Sequence, residues 1–216
     1  TQSRSSAASD VYKRQEHYRK EYKEYYENCK HDNSPAMRDP NPVIIIYPGV
    51  GMFSFSKNKQ TTRVASEFYI NAINVMRGAE AISAYTSLPR QEAFDIEYWL
   101  LEEAKLQRMP KEQPLSRRVA LVTGAGGGIG KAIADKLAEH GANVVLTDIA
   151  EDRLKEAVET YTRDVATYAV CDVTSADSIR KAYKDACLEF GGVDLIIHSA
   201  GSVSYTHLRA HETKAN

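Results

Sequence analysis

The stretch Arg118–Gly130, RVALVTGAGGGIG, constrains this chain more than any other. A short apolar run, Val119–Val122, meets a glycine cluster and then an amphipathic pattern from Lys131 to His140, which predicts strand, tight turn and helix. Glycine-rich backbone delivered to a helix N-terminus is a cradle for phosphate, because the first N–H groups of a helix have no partner within it and face the anion. The glycines have separate roles. Gly124 lets the chain leave the strand in a tight turn, Gly128 lets backbone approach a pyrophosphate, and Gly130 lets the helix lie close to the sheet.

Beyond this stretch, strand and helix alternate. Strands are predicted at Asn143–Thr147, Thr167–Cys171 and Val193–His198, and helices at Gly130–His140, Glu151–Thr162 and Ala176–Phe190. Such alternation implies parallel strands joined by right-handed crossovers. Gly141 and Gly191 suit helix C-termini, and Thr174 or Ser175 an N-cap. Asp148 closes the second strand, where a carboxylate can accept hydrogen bonds from both adenosine ribose hydroxyls; the plainer role is a cap on the next helix. The next residues, Ile149 and Ala150, supply no cation for a ribose phosphate, so NAD is expected over NADP by about a hundredfold or more. Asp172 and Val173 close the third strand and can meet the adenine edge, or simply form a turn in DVTS.

Upstream the pattern differs. Glu16–Lys30 is charged and tyrosine-rich, a solvated helix; Tyr26 and Lys30 have Y-x-x-x-K spacing but lie in a charge run. Asn33–Pro42 reads as a turn-rich loop, and Val43–Tyr47 and Met52–Phe55 as strands around a hairpin-like turn. A helix from Lys57 to about Ile82 carries Val64, Phe68, Ala72, Ile73 and Met76 on a face expected to be core. A second, Gln91–Gln107, carries Phe94, Tyr98, Leu101 and Ala104 on one stripe with Trp99 beside it, and Glu92, Asp95, Glu97, Glu102 and Glu103 as a solvated acidic face. Met109–Ser116, with Pro110 and Pro114, reads as a linker.

With 216 residues, 43% apolar content and a formal charge of -1, the chain can build a core and shows no electrostatic footprint for nucleic acid. Cys29, Cys171 and Cys187 are too few and too widely spaced for a disulfide framework, which points to the cytoplasm. No apolar run approaches the roughly 18 residues of a membrane helix. The ends read as foreign. Asp10–Gln15 can be coded GAT GTG TAT AAG AGA CAG, whose reverse complement, from its third base, encodes Val203–His207 and begins Leu208. Both termini can therefore come from one inverted DNA element resembling a transposase end used in sequencing libraries, with Ser5–Ser9 and Leu208–Thr213 resembling adapter translations. Residues 1–15 and 203–216 are set apart on that ground, Ser202 as a hybrid codon, and the remainder is expected to be an internal fragment.

Thr123–Gly130 (TGAGGGIG), Asp148, Asp172 with Val173, and His198–Gly201 (HSAG) are similar in order and spacing to the short-chain dehydrogenase/reductase family. That family usually has N-N-A-G where His198 and Ser199 stand here. The resemblance covers Arg118–Gly201 and implies NAD bound by Thr123, Gly124, Gly128, Ile129, Gly130, Asp148, Ile149, Asp172, Val173, Ala200 and Gly201. It places the catalytic serine, tyrosine and lysine downstream, so the polypeptide as written is expected to be inert. NPVIIIYPGVGMFSF, the helix after Lys57 and SLPRQEAFDIEYWLLEEAKLQ resemble the end of the aldolase domain in bifunctional aldolase/short-chain dehydrogenases of the rhamnulose-phosphate aldolase type. In related class II aldolases a His-Gly pair supplies a zinc ligand; Val50 and Gly51 stand there, which leaves any zinc to the upstream aldolase part.

The expected fold class is α/β: the N-terminal half of a Rossmann domain, 117–202, preceded by the C-terminal end of a class II aldolase-like α/β domain, 16–108, with a linker at 109–116. The function implied is NAD-dependent hydride transfer on an alcohol or aldehyde such as lactaldehyde, fused to a sugar-phosphate aldolase. A small-molecule substrate and a homo-oligomeric parent follow from the same resemblance. Gly124, Gly127 and Gly130 also satisfy G-x-x-G-x-x-G, so a sugar-nucleotide epimerase or dehydratase stays open, as does a nucleotide-binding module without catalysis.

Overall fold

The fold comes from a computed structural model that describes residues 2–201, with side chains from Lys13 onward. Thr1, Ser202 and the 203–216 tail lie outside the described residues, as do the side chains of most of the upstream tail. The chain forms two compact units, one running to Lys111 and the other from Glu112, with Lys57–Lys59 assigned to the second.

In the first unit, α1 (Gln2–Cys29) extends well upstream of the predicted Glu16–Lys30. No glycine or proline precedes Pro35, so nothing local stops a helix anchored near Cys29 from propagating toward the N-terminus. β1 (Ile44–Tyr47) and β2 (Gly51–Ser54) pair antiparallel with Tyr47 opposite Gly51. Pro48 presets its φ, Gly49 takes φ 77°, and the Val50 N–H donates to the Tyr47 carbonyl at 3.1 Å, a type II turn that closes the predicted hairpin.

α2 (Lys59–Ile82) forms over the predicted span, but its apolar face is not core. Val64 and Phe68 are 42% and 72% exposed, and no α2 residue is buried among the described residues. Helical spacing tells which residues share a face, not that anything covers it. The predicted helix Gln91–Gln107 is two, α3 (Arg90–Glu97) and α4 (Leu100–Gln107), with Trp99 extended at φ −63°, ψ 126°. Tertiary contacts set the break. The Tyr98 ring stacks on Phe94 with centroids 4.4 Å apart, and its hydroxyl accepts the Arg38 N–H at 3.2 Å and shares a hydrogen bond with the Tyr22 hydroxyl. Leu101 and Trp99 are therefore exposed, and the small core of this unit is Cys29, Phe94 and Tyr98 with Tyr25 and Tyr26.

The second unit is a parallel sheet of β3 (Val119–Thr123), β4 (Asn143–Asp148), β5 (Ala166–Val170) and β6 (Leu195–Ile197), in the order β5-β4-β3-β6. Helices α5 (Gly128–Glu139), α6 (Glu151–Val158) and α7 (Ala176–Phe190) connect them. β3 is buried throughout, and its side chains alternate between faces. Ala120 and Val122 join Ala134 of α5 and Leu154 of α6 on one side, whereas Val119 and Leu121 join Ala186 of α7 on the other. The chain thus changes sheet face between β5 and β6, and strand order reverses at β3.

Some boundaries differ from the predicted ones. α5 starts two residues before Gly130, since Gly127 and Gly128 already take part in its first turn. α6 stops short of Thr162 because the Thr160 hydroxyl donates to the Ala157 carbonyl at 2.9 Å, competing with the helix backbone. β5 sits one residue upstream of its predicted span, and β6 is trimmed at both ends, as ladder ends often are. Ser175 caps α7, and Gly191 ends it with φ 86°.

Candidate functional site

The strand order places the carboxyl ends of β3, β4 and β5 and the segment after β6 around one cavity of about 640 Å³. Open α/β sheets bind ligands at such a reversal point. Its walls include Gly124, Gly128, Ile129, Gly130, Asp148, Ile149, Asp172, Val173, Ala200 and Gly201, brought together from four loops. Ile129, Ile149 and Val173 are apolar side chains exposed at that cavity, 77%, 69% and 43% respectively. Gly127, Arg153, Cys171, Thr174 and Ser199 line it too.

The loop geometry accounts for its glycines one by one. Gly124 has φ +68°, and a Cβ there would stand 2.8 Å from the Ala200 backbone. A Cβ on Gly130 would lie 2.3 Å from the Gly124 carbonyl oxygen, so this glycine lets α5 close on the loop's own main chain rather than on the sheet. A Cβ on Gly128 would meet nothing within 4 Å, leaving its backbone bare at the cavity wall. No side chain caps α5, whose first N–H groups thus remain for a ligand.

Thr123 does not line the cavity. It is buried, and its hydroxyl accepts the N–H groups of Ser199 and Ala200, each at 3.1 Å, while donating to the Ile197 carbonyl at 3.4 Å. One hydroxyl thereby fills both acceptor positions and its donor, and it fastens the HSAG segment to the end of β3.

Asp148 accepts the Gly126 N–H at 3.1 Å with one carboxylate oxygen and the Ala150 N–H at 3.0 Å with the other. The carboxylate is oriented by the glycine loop and by the entry to α6, with lone pairs left for a ligand. Asp172 forms a local turn, accepting the Thr174 hydroxyl at 2.7 Å and the Thr174 N–H at 2.8 Å. Donation by the Thr174 hydroxyl, then by its N–H, holds the Asp172 carboxyl below the usual carboxylate range. Burial pushes the Cys171 thiol up, so the sulfur is an inert wall of the cavity. Lys131 is turned elsewhere, its ammonium paired with Asp135 at 2.6 Å and 4.7 Å from the Tyr161 ring centroid.

Arg153 was not singled out by motif spacing, because it sits a turn into α6 rather than beside Asp148 in sequence. Exposed arginines are common, and only the fold shows that this one borders the cavity.

In the first unit the acidic residues of α3 and α4 go to separate partners. Asp95 accepts from His31 at 2.8 Å and from Gln91 at 2.9 Å, and Glu97 accepts from the Tyr22 and Tyr25 hydroxyls. Tyr26 donates to the Pro35 carbonyl and Lys30 pairs with Glu27, so the Y-x-x-x-K pair is structural. Among the described residues no group of three or more His, Cys, Asp or Glu is arranged to hold a metal, and no helix is long and apolar enough to cross a membrane.

Residues 118–215 match the family model for short chain dehydrogenase, and residues 1–106 that for aldolase class II, second domain. The chain is an aldolase class II second domain followed by a short-chain dehydrogenase domain. The uncharacterized oxidoreductase YuxG of Bacillus subtilis (strain 168) is 34% identical over 190 residues, which is 86% of this chain and 27% of that protein. Over the dehydrogenase part, the uncharacterized oxidoreductase SA2266 of Staphylococcus aureus (strain N315) is 40% identical across 89 residues, 41% of this chain and 38% of that one. A solved short-chain dehydrogenase/reductase from Brucella melitensis, described as a glucose/ribitol dehydrogenase, is 34% identical with a TM-score of 0.41, covering 44% of this chain and 40% of its own. The aldolase–dehydrogenase chain thus spans about a quarter of the length of one curated relative and under two-fifths of the other.

Proposed function

We propose that the dehydrogenase part binds NAD for hydride transfer to or from a short alcohol or aldehyde, such as the lactaldehyde that an attached sugar-phosphate aldolase would release. The observation that carries this reading is the cavity where Gly128, the N-terminus of α5, Asp148 and the HSAG segment converge. The backbone at Gly128 and the helix start fit a pyrophosphate, Asp148 fits the adenosine ribose, and Ile149 and Val173 fit an adenine between apolar surfaces. When bound, the nicotinamide supplies the hydride chemistry. The described residues hold and orient; in the family that the chain resembles, the acid–base serine, tyrosine and lysine follow the segment that corresponds to HSAG.

Asp148 makes NAD the preferred dinucleotide, since its carboxylate attracts free ribose hydroxyls and repels a phosphate at the same place. Val50 and Gly51 offer no side-chain metal ligand, so no step is assigned to zinc in these residues. Three free cysteines, two of them buried, fit a reducing cytoplasm, and the expected assembly is a homo-oligomer acting on a small molecule.

Calorimetric titration of NAD into the 216-residue chain tests the reading. Asp148→Ser is expected to weaken binding about tenfold or more, the effect of losing one charged hydrogen bond. Gly128→Trp, whose Cβ would meet no protein atom within 4 Å at the cavity wall, is expected to abolish binding while the circular dichroism spectrum stays unchanged. No binding by the unmodified chain, or equal binding by Gly128→Trp, sinks it.

A further inference from the structure

We infer that Arg153 sets how strongly this site discriminates against a dinucleotide carrying a phosphate on its adenosine ribose; this rests on the dinucleotide reading of the cavity. Asp148 and Arg153 flank one point of backbone. A Cβ on Gly126 would lie 3.0 Å from the Asp148 carboxyl carbon and 3.1 Å from the Arg153 Cβ. The arginine side chain therefore leaves α6 beside the carboxylate that faces the ribose, and it lines the cavity with that carboxylate.

Opposite charges so placed would ordinarily pair, yet they do not. Both Asp148 oxygens are held by main-chain N–H groups of Gly126 and Ala150. Two neighbouring pairs are engaged with one another, Glu151 with Lys155 at 3.0 Å and Lys131 with Asp135. Among the described residues Arg153 has no ion-pair or hydrogen-bond partner, and it is the cation that borders the nucleotide cavity. It also borders a second cavity of about 410 Å³, which the glycine loop lines together with Lys131, Glu156 and Thr160. An unpaired guanidinium at this corner can point either way.

Its chemistry selects the ligand group. A planar fork of N–H donors matches phosphate oxygens, whereas ribose hydroxyls gain little from a cation and are already served by the Asp148 carboxylate. A phosphate on the ribose brings negative charge next to Asp148, and Arg153 is the group within the same wall that neutralises it. Selectivity is therefore a balance of Asp148 against Arg153. The preference for NAD shrinks from the hundredfold expected of the carboxylate alone to about tenfold, one charge-assisted contact being equivalent to roughly one decade in affinity.

The test titrates NAD and NADP separately into the full 216-residue chain, unmodified and as Arg153→Ala and Arg153→Lys, at low and high salt. Arg153→Ala should weaken NADP about tenfold and change NAD less than about twofold; Arg153→Lys, which keeps a point charge without the fork, should recover part of the loss. The NADP difference between the unmodified chain and Arg153→Ala should shrink in high salt, since the contact is exposed and screened. If NAD binds and the NADP-to-NAD ratio is the same in Arg153→Ala, or both dinucleotides weaken equally, Arg153 has no such role while the dinucleotide reading stands. If neither dinucleotide binds the unmodified chain, both readings fall.

Discussion

The two units solve the problem of apolar surface in opposite ways. In the dehydrogenase unit, β3 is covered on both faces, and Val122, Val144, Leu146 and Leu154 are fully buried around it. In the aldolase unit, the 24-residue α2 has as clear an apolar periodicity and buries nothing among the described residues. The difference lies in what each element needs from afar. A parallel strand joined by short crossovers brings its covering helices with it, because α5, α6 and α7 are the connections themselves. A single amphipathic helix depends on a partner that its own sequence does not specify. The aldolase unit compensates with a small aromatic cluster, in which Phe94 and Tyr98 are anchored by Tyr22, Tyr25 and Tyr26.

The comparison breaks most visibly in the core of the dehydrogenase unit. Leu154 is fully buried between α6 and the sheet, so Leu154→Ala removes buried methyl groups and leaves a cavity, costing about 2–5 kcal/mol. The expected outcome is a lower denaturant midpoint for this unit and faster hydrogen exchange at β3 and β4, with exchange in α1 and α3 unchanged. A loss below about 1 kcal/mol would mean that the sheet and its helices do not form one tightly packed body.

A smaller effect concerns the aromatic cluster, whose weakness is alkaline pH. Burial, and then hydrogen bonding to Glu97, push the Tyr22 phenol well above its ordinary value; Tyr25 is pushed up by burial and by the Glu97 charge. A group with a raised folded pKa contributes stability that is fully present below its unfolded pKa, about 10 for tyrosine, and is lost as pH rises above it. The aldolase unit should therefore loosen above about pH 10 in one cooperative step seen as phenolate absorbance. Tyr22→Phe should lower the amplitude of that step. Independent, gradual ionisation of Tyr22 and Tyr25 near the ordinary tyrosine value would show that the cluster is not closed.

How much could be read beforehand follows the same division. The strand–turn–helix at Arg118–Gly130, the alternation after it and the parallel sheet were legible, because each is fixed by local pattern and short connections, and the residues named from the motif, Thr123 excepted, line one cavity. α7 falls on its predicted span, and the hairpin at Pro48–Val50 follows from proline and glycine at the right places in a turn. The break at Tyr98–Trp99 was not legible, since stacking on Phe94 and the hydroxyl's hydrogen bonds to Arg38 and Tyr22 come from distant residues. Thr123 reads as a cavity residue in the motif, but its hydroxyl is consumed by the HSAG backbone. Arg153 left no mark in spacing at all.

The smallest effect sharpens the contrast furthest. Phe68 lies on the apolar face of α2 and is 72% exposed, so truncating it removes little buried surface. Alanine is also the better helix former, by a few tenths of a kcal/mol, which offsets part of the lost contact. Phe68→Ala is therefore expected to change the stability of the aldolase unit by no more than about 0.5 kcal/mol, in either direction. The same substitution under a covering partner would behave like any large-to-small change in a core, at about 3 kcal/mol or more. Denaturation followed at low and high protein concentration separates these cases. A small effect at every concentration leaves α2 an uncovered face, whereas a large effect that grows with concentration means a second copy of the chain supplies the cover, since association stabilises by mass action. A large effect independent of concentration would place the cover within the chain, and the division between a self-covered sheet and a helix in need of a partner would not hold.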